Sequence, residues 1–217
     1  MKHSKFGLNR VDTYKITALK QGLKNPDRVN VFVNDKFSFS LDISQIVDLK
    51  IKVGMVVSAA DLAEFKKASE FGKLYQRTLE WVLVRPRSER EAYDYLYKKI
   101  YEKKLDKNYI NRIIEKLKDK NYLDDFRFAE YYVENRFVKK GISLRRLEME
   151  LLKKGVSEET IKQVLVESPR SEEEEIKKVI LKKRAKYDDE KLTAYLVRQG
   201  FPYDLVRELV LESSETD

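Results

Sequence analysis

The chain has no cysteine, so disulfides, thiolate metal sites and cysteine nucleophiles are excluded. It has one histidine, His3, near its start, and the serines therefore have no imidazole network to activate them. Glycine is scarce too. The seven glycines are scattered, and neither a GxxxxGK[ST] loop nor a GxGxxG turn occurs, so the usual cradle for hydrolysing a nucleoside triphosphate is missing. No apolar run approaches the roughly 18 residues of a membrane span, and the first residues lack a charged-then-apolar signal pattern. These absences predict a cytoplasmic protein that is not an enzyme and holds no metal or cofactor.

What the chain has in abundance is charge. Of its 217 residues 42% are apolar, enough for ordered cores, and 38% are charged, which suits narrow helical units better than one large globule. The net charge of +8 and pI near 9.3 point to an anionic partner. The distribution is uneven. Residues 1–70 carry 12 basic and 8 acidic groups, residues 71–154 carry 22 and 14, and residues 155–217 carry 11 and 15, giving +4, +8 and −4. A protein that coats DNA uniformly would not need that acidic last third.

The second half repeats itself. Leu151-Leu152-Lys153-Lys154-Gly155-Val156-Ser157, followed by Ile161 and Val164, returns 45 residues later as Leu196-Val197-Arg198-Gln199-Gly200-Phe201-Pro202, followed by Val206 and Leu209. Shifted back by 55, Leu151 falls on Leu96 and Lys153-Lys154 on Lys98-Lys99; a four-residue insertion then lets Ile110 and Ile113 answer Ile161 and Val164. A helical unit of fixed period that cannot bury its own apolar face stacks on its neighbours, making an elongated array with a long surface. Such a surface suits another extended polymer better than a small substrate.

Ahead of the repeats, residues 13–41 alternate as strands do. Tyr14, Ile16 and Ala18 share one face, Val29, Val31 and Val33 another, and an Asn34-Asp35-Lys36 turn leads into Phe37, Phe39 and Leu41. Residues 22–27 form a turn-rich bridge. A short helix through Ile43, Ile46, Val47 and Leu49, stopped by Gly54, would cover this small antiparallel sheet; a long helix then opens at Ser58 and ends at Pro86. The chain is thus predicted to be mostly α: a small β-rich subdomain over 1–57, a helical connection over 58–71, and three tandem three-helix repeats over 72–120, 121–168 and 169–217. First helices are expected at 72–84, 125–138 and 171–184, and third helices at 106–119, 157–167 and 202–212. Ser88, Ser143 and Asp188 open the middle helices as N-caps, with Ser88 and Glu91 forming a capping box. Gly155 and Gly200 end two of them; the first lacks this glycine and should run about one turn longer.

Paired carboxylates at Asp124-Asp125 and Asp188-Asp189, and the run Glu172 to Glu175, could hold Mg²⁺ for a nuclease. Each also precedes helical periodicity, where negative charge complements the helix dipole. Basic residues gather at helix ends and on one side of the repeats: Arg85, Arg87, Arg90, Lys98, Lys99, Arg136, Lys139, Lys140, Arg145, Arg146, Lys153 and Lys154, followed by Lys182, Lys183, Arg184 and Arg198. A solvated face explains part of this set; a basic groove shared by successive repeats explains the rest, with Arg85, Arg87, Arg136, Arg145 and Arg146 foremost, because arginine is the better fork for phosphate or carboxylate. Exposed tyrosines beside lysine could stack on unpaired bases, although Phe126, Ala129, Tyr132, Val133 and Phe137 read as a core stripe. Trp81 is expected to wedge between the first repeat and its neighbour.

Over nearly its whole length the chain resembles the RecX family of recombination regulators. The resemblance lies in the order and spacing of Arg85-Pro86-Arg87-Ser88-Glu89-Arg90-Glu91, of Tyr122-Leu123-Asp124-Asp125-Phe126-Arg127-Phe128-Ala129, of residues 141–152, of the Lys154-Gly155-Val156 turn, and of residues 27–35 at the front. It implies three three-helix repeats and a partner, the RecA recombinase filament, in whose helical groove family members lie, damping strand exchange, ATP hydrolysis and co-protease activity. The family has no motif of catalytic residues to carry over. The acidic third repeat departs from a DNA-gripping pattern and is expected to face protein or solvent. The leading expectation is a monomeric regulator whose basic groove meets the filament; the rival is a sequence-nonspecific binder of single-stranded or duplex DNA acting without RecA.

Overall fold

The structure, a computed structural model, describes residues 13–23 and 25–215. The readings placed on His3, and on Lys24 within the 22–27 bridge, lie outside the described residues. The chain divides into two compact units, with the boundary between Glu80 and Trp81.

In the first unit, β1 (Thr13–Gln21), β2 (Arg28–Val33), β3 (Lys36–Asp42) and β4 (Val56–Ser58) form an antiparallel sheet in the order β3-β2-β1-β4. Three strands fall where alternation places them. The fourth is an addition: three residues are too few to display a period, and β4 exists through its pairing with Thr13, Tyr14 and Lys15. Ile16, Val31, Val33, Phe39 and Leu41 are buried, whereas Phe37 is exposed. The reason is a bulge: Val31 pairs with Phe39 but Phe32 with Phe37, which turns Phe37 to the opposite face. Asn34 and Asp35 both take positive φ, 48° and 65°, as a two-residue hairpin turn demands. Helix α1 (Ile43–Asp48) begins with a reciprocal box in which the Asp42 carboxylate accepts the Gln45 amide and the Gln45 side chain accepts the Asp42 amide. It stops well short of Gly54, because Lys50 has already turned left-handed at φ 51°. Helix α2 (Ala59–Leu83) sends Leu62 and Phe65 into the core beneath the sheet, and its Ser69 hydroxyl donates to the Ser40 carbonyl at 2.6 Å. Residues of the expected 58–71 connection thus help to build the sheet's own core.

The second unit contains α3 (Glu89–Lys103), α4 (Tyr109–Asp119), α5 (Asp125–Asn135), α6 (Leu144–Lys153), α7 (Glu158–Glu167), α8 (Glu172–Lys183), a single 3-10 turn at Arg184–Lys186, α9 (Asp189–Arg198) and α10 (Tyr203–Glu215). Helices α5–α7 and α8–α10 form packed three-helix repeats, each around its own core. The repeat arithmetic is visible in burial. Leu96, Leu151 and Leu196 are fully buried, and Ile110, Ile161 and Val206 are buried too, as are, three residues on, Ile113, Val164 and Leu209. Helix α3 spans 15 residues against 10 in α6 and α9. It closes on left-handed Lys104 at φ 53°, where the other two use Gly155 and Gly200 at 83° and 95°. Helix α5 ends at Asn135 rather than 138 because Phe137 takes φ 50°. Trp81 stacks on Tyr95 at 4.4 Å, under the Arg87 guanidinium at 4.0 Å, so its described ring contacts lie within the first repeat rather than across a junction.

Candidate binding surface

Middle helices of successive repeats meet end to end, and the two meeting points are built alike. The Ser88 hydroxyl at the start of α3 accepts the Glu91 amide at 3.1 Å and donates to the Lys154 carbonyl, at the end of α6, at 2.8 Å. Fifty-five residues on, the Ser143 hydroxyl accepts the Arg146 amide at 3.3 Å and donates to the Gln199 carbonyl, at the end of α9, at 2.8 Å. Only a hydroxyl accepts and donates from one atom, and both serines are fully buried. The next amide of each helix is covered by an acid from the following repeat: Asp125 accepts from Glu89 N at 2.8 Å, and Glu172 from Leu144 N at 3.0 Å. Gly155 is required twice, by its positive φ and because a Cβ there would sit 2.7 Å from the Arg90 Cβ.

Around these contacts the basic residues are drawn into an internal network. Arg85 forms a forked pair with Glu91, at 3.1 and 3.3 Å, and Lys154 reaches the same carboxylate at 2.6 Å. The Lys154 ammonium lies 5.5 Å from the Tyr132 ring, whose hydroxyl donates to Glu150 at 2.6 Å. Glu150 also accepts from Arg136, at 2.7 and 3.1 Å, and from Arg146, at 3.2 Å; Arg146 continues to the Gln199 side chain at 2.6 Å. A chain of hydrogen bonds, bridged once by the Lys154–Tyr132 cation–ring contact, therefore runs from Arg85 in the first repeat to Gln199 in the third. Hydrogen bonding from Arg136, working against burial and aided by Tyr132 and Arg146, holds the Glu150 carboxyl down at about 2. Burial, then the neighbouring Glu150, pushes the Tyr132 hydroxyl up to about 12. Burial also opposes ionisation of Glu91, but the Lys154 and Arg85 hydrogen bonds prevail and leave it below the usual carboxylate range. Four cations (Arg85, Arg136, Arg146 and Lys154) share two carboxylates, so the network retains positive charge.

The remaining residues of the expected groove divide in two. Arg87 lies on Trp81 with its Nε buried and without a hydrogen bond; burial, then Arg85, pulls it below the usual guanidinium range. Arg90 pairs with Asp94 and Lys99 with Glu102, both at 3.3 Å. Lys98, Lys139, Lys140, Arg145 and Lys153, by contrast, are exposed and carry no ion pair among the described residues. Sequence reasoning missed Glu91, Glu150, Tyr132 and Gln199 as the groups that engage the arginines. The four-residue step from Arg146 to Glu150 is the one local signal that pointed to them.

The acidic clusters have structural employment. Asp124 caps α5 through the Phe126 and Arg127 amides at 2.9 and 3.2 Å, and Asp188 caps α9 through Lys191 N at 2.9 Å. Fully buried Glu175 accepts from Ile142 N at 2.9 Å and Lys178 at 2.7 Å and faces Arg170 at 3.6 Å. Burial raises the carboxyls of Asp125 and Glu172 above their ordinary values. Among the described residues no three potential metal ligands cluster, and no helix is long and apolar enough to cross a membrane.

Comparison with known proteins agrees with this arrangement. The family model for the regulatory protein RecX N-terminal domain matches residues 14–58, and that for the RecX second three-helix domain matches residues 124–165. The regulatory protein RecX of Bacillus velezensis is 32% identical over 208 residues, covering 92% of this chain and 77% of the relative. That of Listeria monocytogenes is 30% identical over 212 residues, covering 94% and 77%. A crystal structure of regulatory protein RecX superposes with a TM-score of 0.70 over 90% of this chain and 98% of the other at 23% identity, and RecX from Lactobacillus salivarius with 0.53 over 67% and 97% at 24%; these two speak for the fold alone. The sheet, the repeats and the extent of these matches together place the chain in the RecX family of regulatory proteins.

Proposed function

We propose that this chain is a non-enzymatic, monomeric, cytoplasmic regulator that binds the RecA–DNA filament and damps its strand exchange, ATP hydrolysis and co-protease activity. Membership of a family whose relatives are named regulatory proteins carries the reading. The structural support is the polar chain from Arg85 to Gln199, which stitches successive repeats into one surface, with unpaired cations at Lys98, Lys139, Lys140, Arg145 and Lys153. In this reading the modules over 72–120, 121–168 and 169–217 grip successive places on the filament, behind the subdomain over 1–57 and the connection over 58–71. Once one module is engaged, the next contact forms at high effective concentration. A bridge across neighbouring subunits opposes the rearrangement that each hydrolysis cycle needs. The paired cations of the expected groove, Arg85, Arg136, Arg146 and Lys154, act by holding the repeats in place; the unpaired ones meet filament carboxylates or DNA phosphates.

The test is a titration of filament ATPase activity with the full chain. Progressive inhibition that saturates supports the proposal, and an unchanged rate at full occupancy removes it. The same unpaired cations also suit naked DNA. In that alternative, binding to bare strands is tight, needs no RecA, and weakens steeply with salt in proportion to the phosphates neutralised.

A further inference from the structure

The two repeat junctions share a plan, yet one is closed by carboxylates and the other is not. At the first junction, Glu91 and Glu150 pair with the surrounding cations and offset part of their charge, and the space left beside Arg85, Tyr132 and Arg136 is a cavity of about 230 Å³. At the second junction the corresponding positions have changed. A shift of 55 carries Glu91 onto Arg146 and Arg85 onto Lys140; a shift of 45 carries Glu150 onto Tyr195. A shift of 47, which superposes Asp125 on Glu172 in their shared capping role, carries Arg136 onto Lys183. Both acids are lost; Arg85 and Arg136 keep their charge as Lys140 and Lys183, while Lys154 gives way to Gln199.

The result is a cavity of about 530 Å³ between the second and third repeats, lined by Lys140, Arg146, Lys182 and Lys183 with Phe137 and Tyr195, and by no acidic residue. Lys140, Lys182 and Lys183 have no ion pair among the described residues. Lys182 donates to the Lys139 carbonyl, and the Lys183 ammonium lies 5.5 Å from the Tyr195 ring. Phe137 is held in a left-handed conformation that a side chain rarely adopts, φ 50°, at the rim. A cavity of this volume, with three lysines that lack an internal counter-charge and aromatic rings among its lining, suits one small anion with a flat apolar part. We propose that it is a nucleotide-phosphate site, in which Lys140, Lys182 and Lys183 take the phosphate and Tyr195 and Phe137 meet the base. The nucleotide has two possible sources, free in solution or part of a nucleic-acid strand. The proposal does not rest on filament regulation, since the chain alone suffices to test it.

The experiment is isothermal titration of the full chain with pyrophosphate, adenosine diphosphate and adenosine. One saturable site for the first two, and much weaker binding of adenosine, is the expected result. The Lys140→Glu/Lys183→Glu variant should bind adenosine diphosphate about tenfold more weakly or worse. Tyr195→Glu, which installs the carboxylate found at the first junction, should weaken it comparably while the far-ultraviolet spectrum is kept. Lys162→Glu, an exposed reversal on α7, should leave binding unchanged. A short single-stranded oligonucleotide added in competition separates the sources: displacement assigns the site to a strand, and its absence to a free nucleotide. No saturable binding of either phosphate, or equal weakening by Lys162→Glu, would overturn the proposal.

Discussion

Replacing Glu150 with glutamine tests how far the polar network stabilises the second repeat. The carboxylate accepts four hydrogen bonds: from Tyr132 at 2.6 Å, twice from Arg136 at 2.7 and 3.1 Å, and from Arg146 at 3.2 Å. Charge-assisted bonds contribute roughly 1.5–3 kcal/mol each when sheltered, but the Arg146 side chain is 44% exposed and its share is small. The glutamine amide keeps one acceptor and brings two donors toward arginine. A loss of about 2–3 kcal/mol follows, or roughly 4–12 °C in Tm for a chain of this size. The pH dependence is the sharper signature. Arg136 holds the Glu150 carboxyl at about 2 in the folded chain against 4.5 when unperturbed. Its stabilisation is therefore complete above the unfolded value and is lost as pH falls from there toward the folded one. Urea unfolding of both proteins, followed by circular dichroism, should give the full gap at about pH 7 and a clearly smaller one at about pH 3. A gap below about 0.5 kcal/mol at neutral pH, or one that does not narrow with acid, would refute the reasoning.

Three further substitutions probe the junctions. Ser143→Ala removes an N-cap and leaves the Gln199 carbonyl without its donor, so chemical denaturation should register a loss of about 2 kcal/mol. Gly155→Ala adds a Cβ 2.7 Å from Arg90 Cβ at positive φ, whereas Gly54→Ala has the positive φ alone and open space around it; thermal unfolding should rank Gly155→Ala as the costlier, with Gly54→Ala near 1 kcal/mol. Glu175→Ala strands the Arg170 guanidinium and the Ile142 amide in a buried site and should cost roughly 3–5 kcal/mol, read as loss of the cooperative transition near physiological temperature.

Much of this fold is legible in the chain because its repeats are written in buried leucines. The 45- and 55-residue steps find Leu96, Leu151 and Leu196, and the same arithmetic places the N-cap serines and the closing glycines. What stays hidden depends on tertiary contact. Strand β4 is too short for periodicity, and Phe37 turns outward through a bulge that no alternation foretells. The capping box expected at Ser88 is half made, since Glu91 turns away to Arg85 and Lys154, a partner 63 residues distant. The same holds for the binding surface. Charge counting collects Arg85, Arg136, Arg146 and Lys154 beside Arg145 and Lys139, but only three-dimensional pairing separates cations that hold the repeats from cations left for a partner. Acidic runs mislead for a related reason. Asp125 and Glu172 look like helix-opening charge on their own helices, and each caps the middle helix of the preceding repeat.

The claim that this chain grips an assembled filament is best put at risk by measuring its binding to bare single strand, duplex and nucleotide-loaded RecA filament in one buffer. The filament should be bound most tightly, and Lys139→Glu/Arg145→Glu should weaken that binding well beyond any effect on bare strands. Equal affinity for bare DNA and filament, lowered equally by the two reversals, would contradict it.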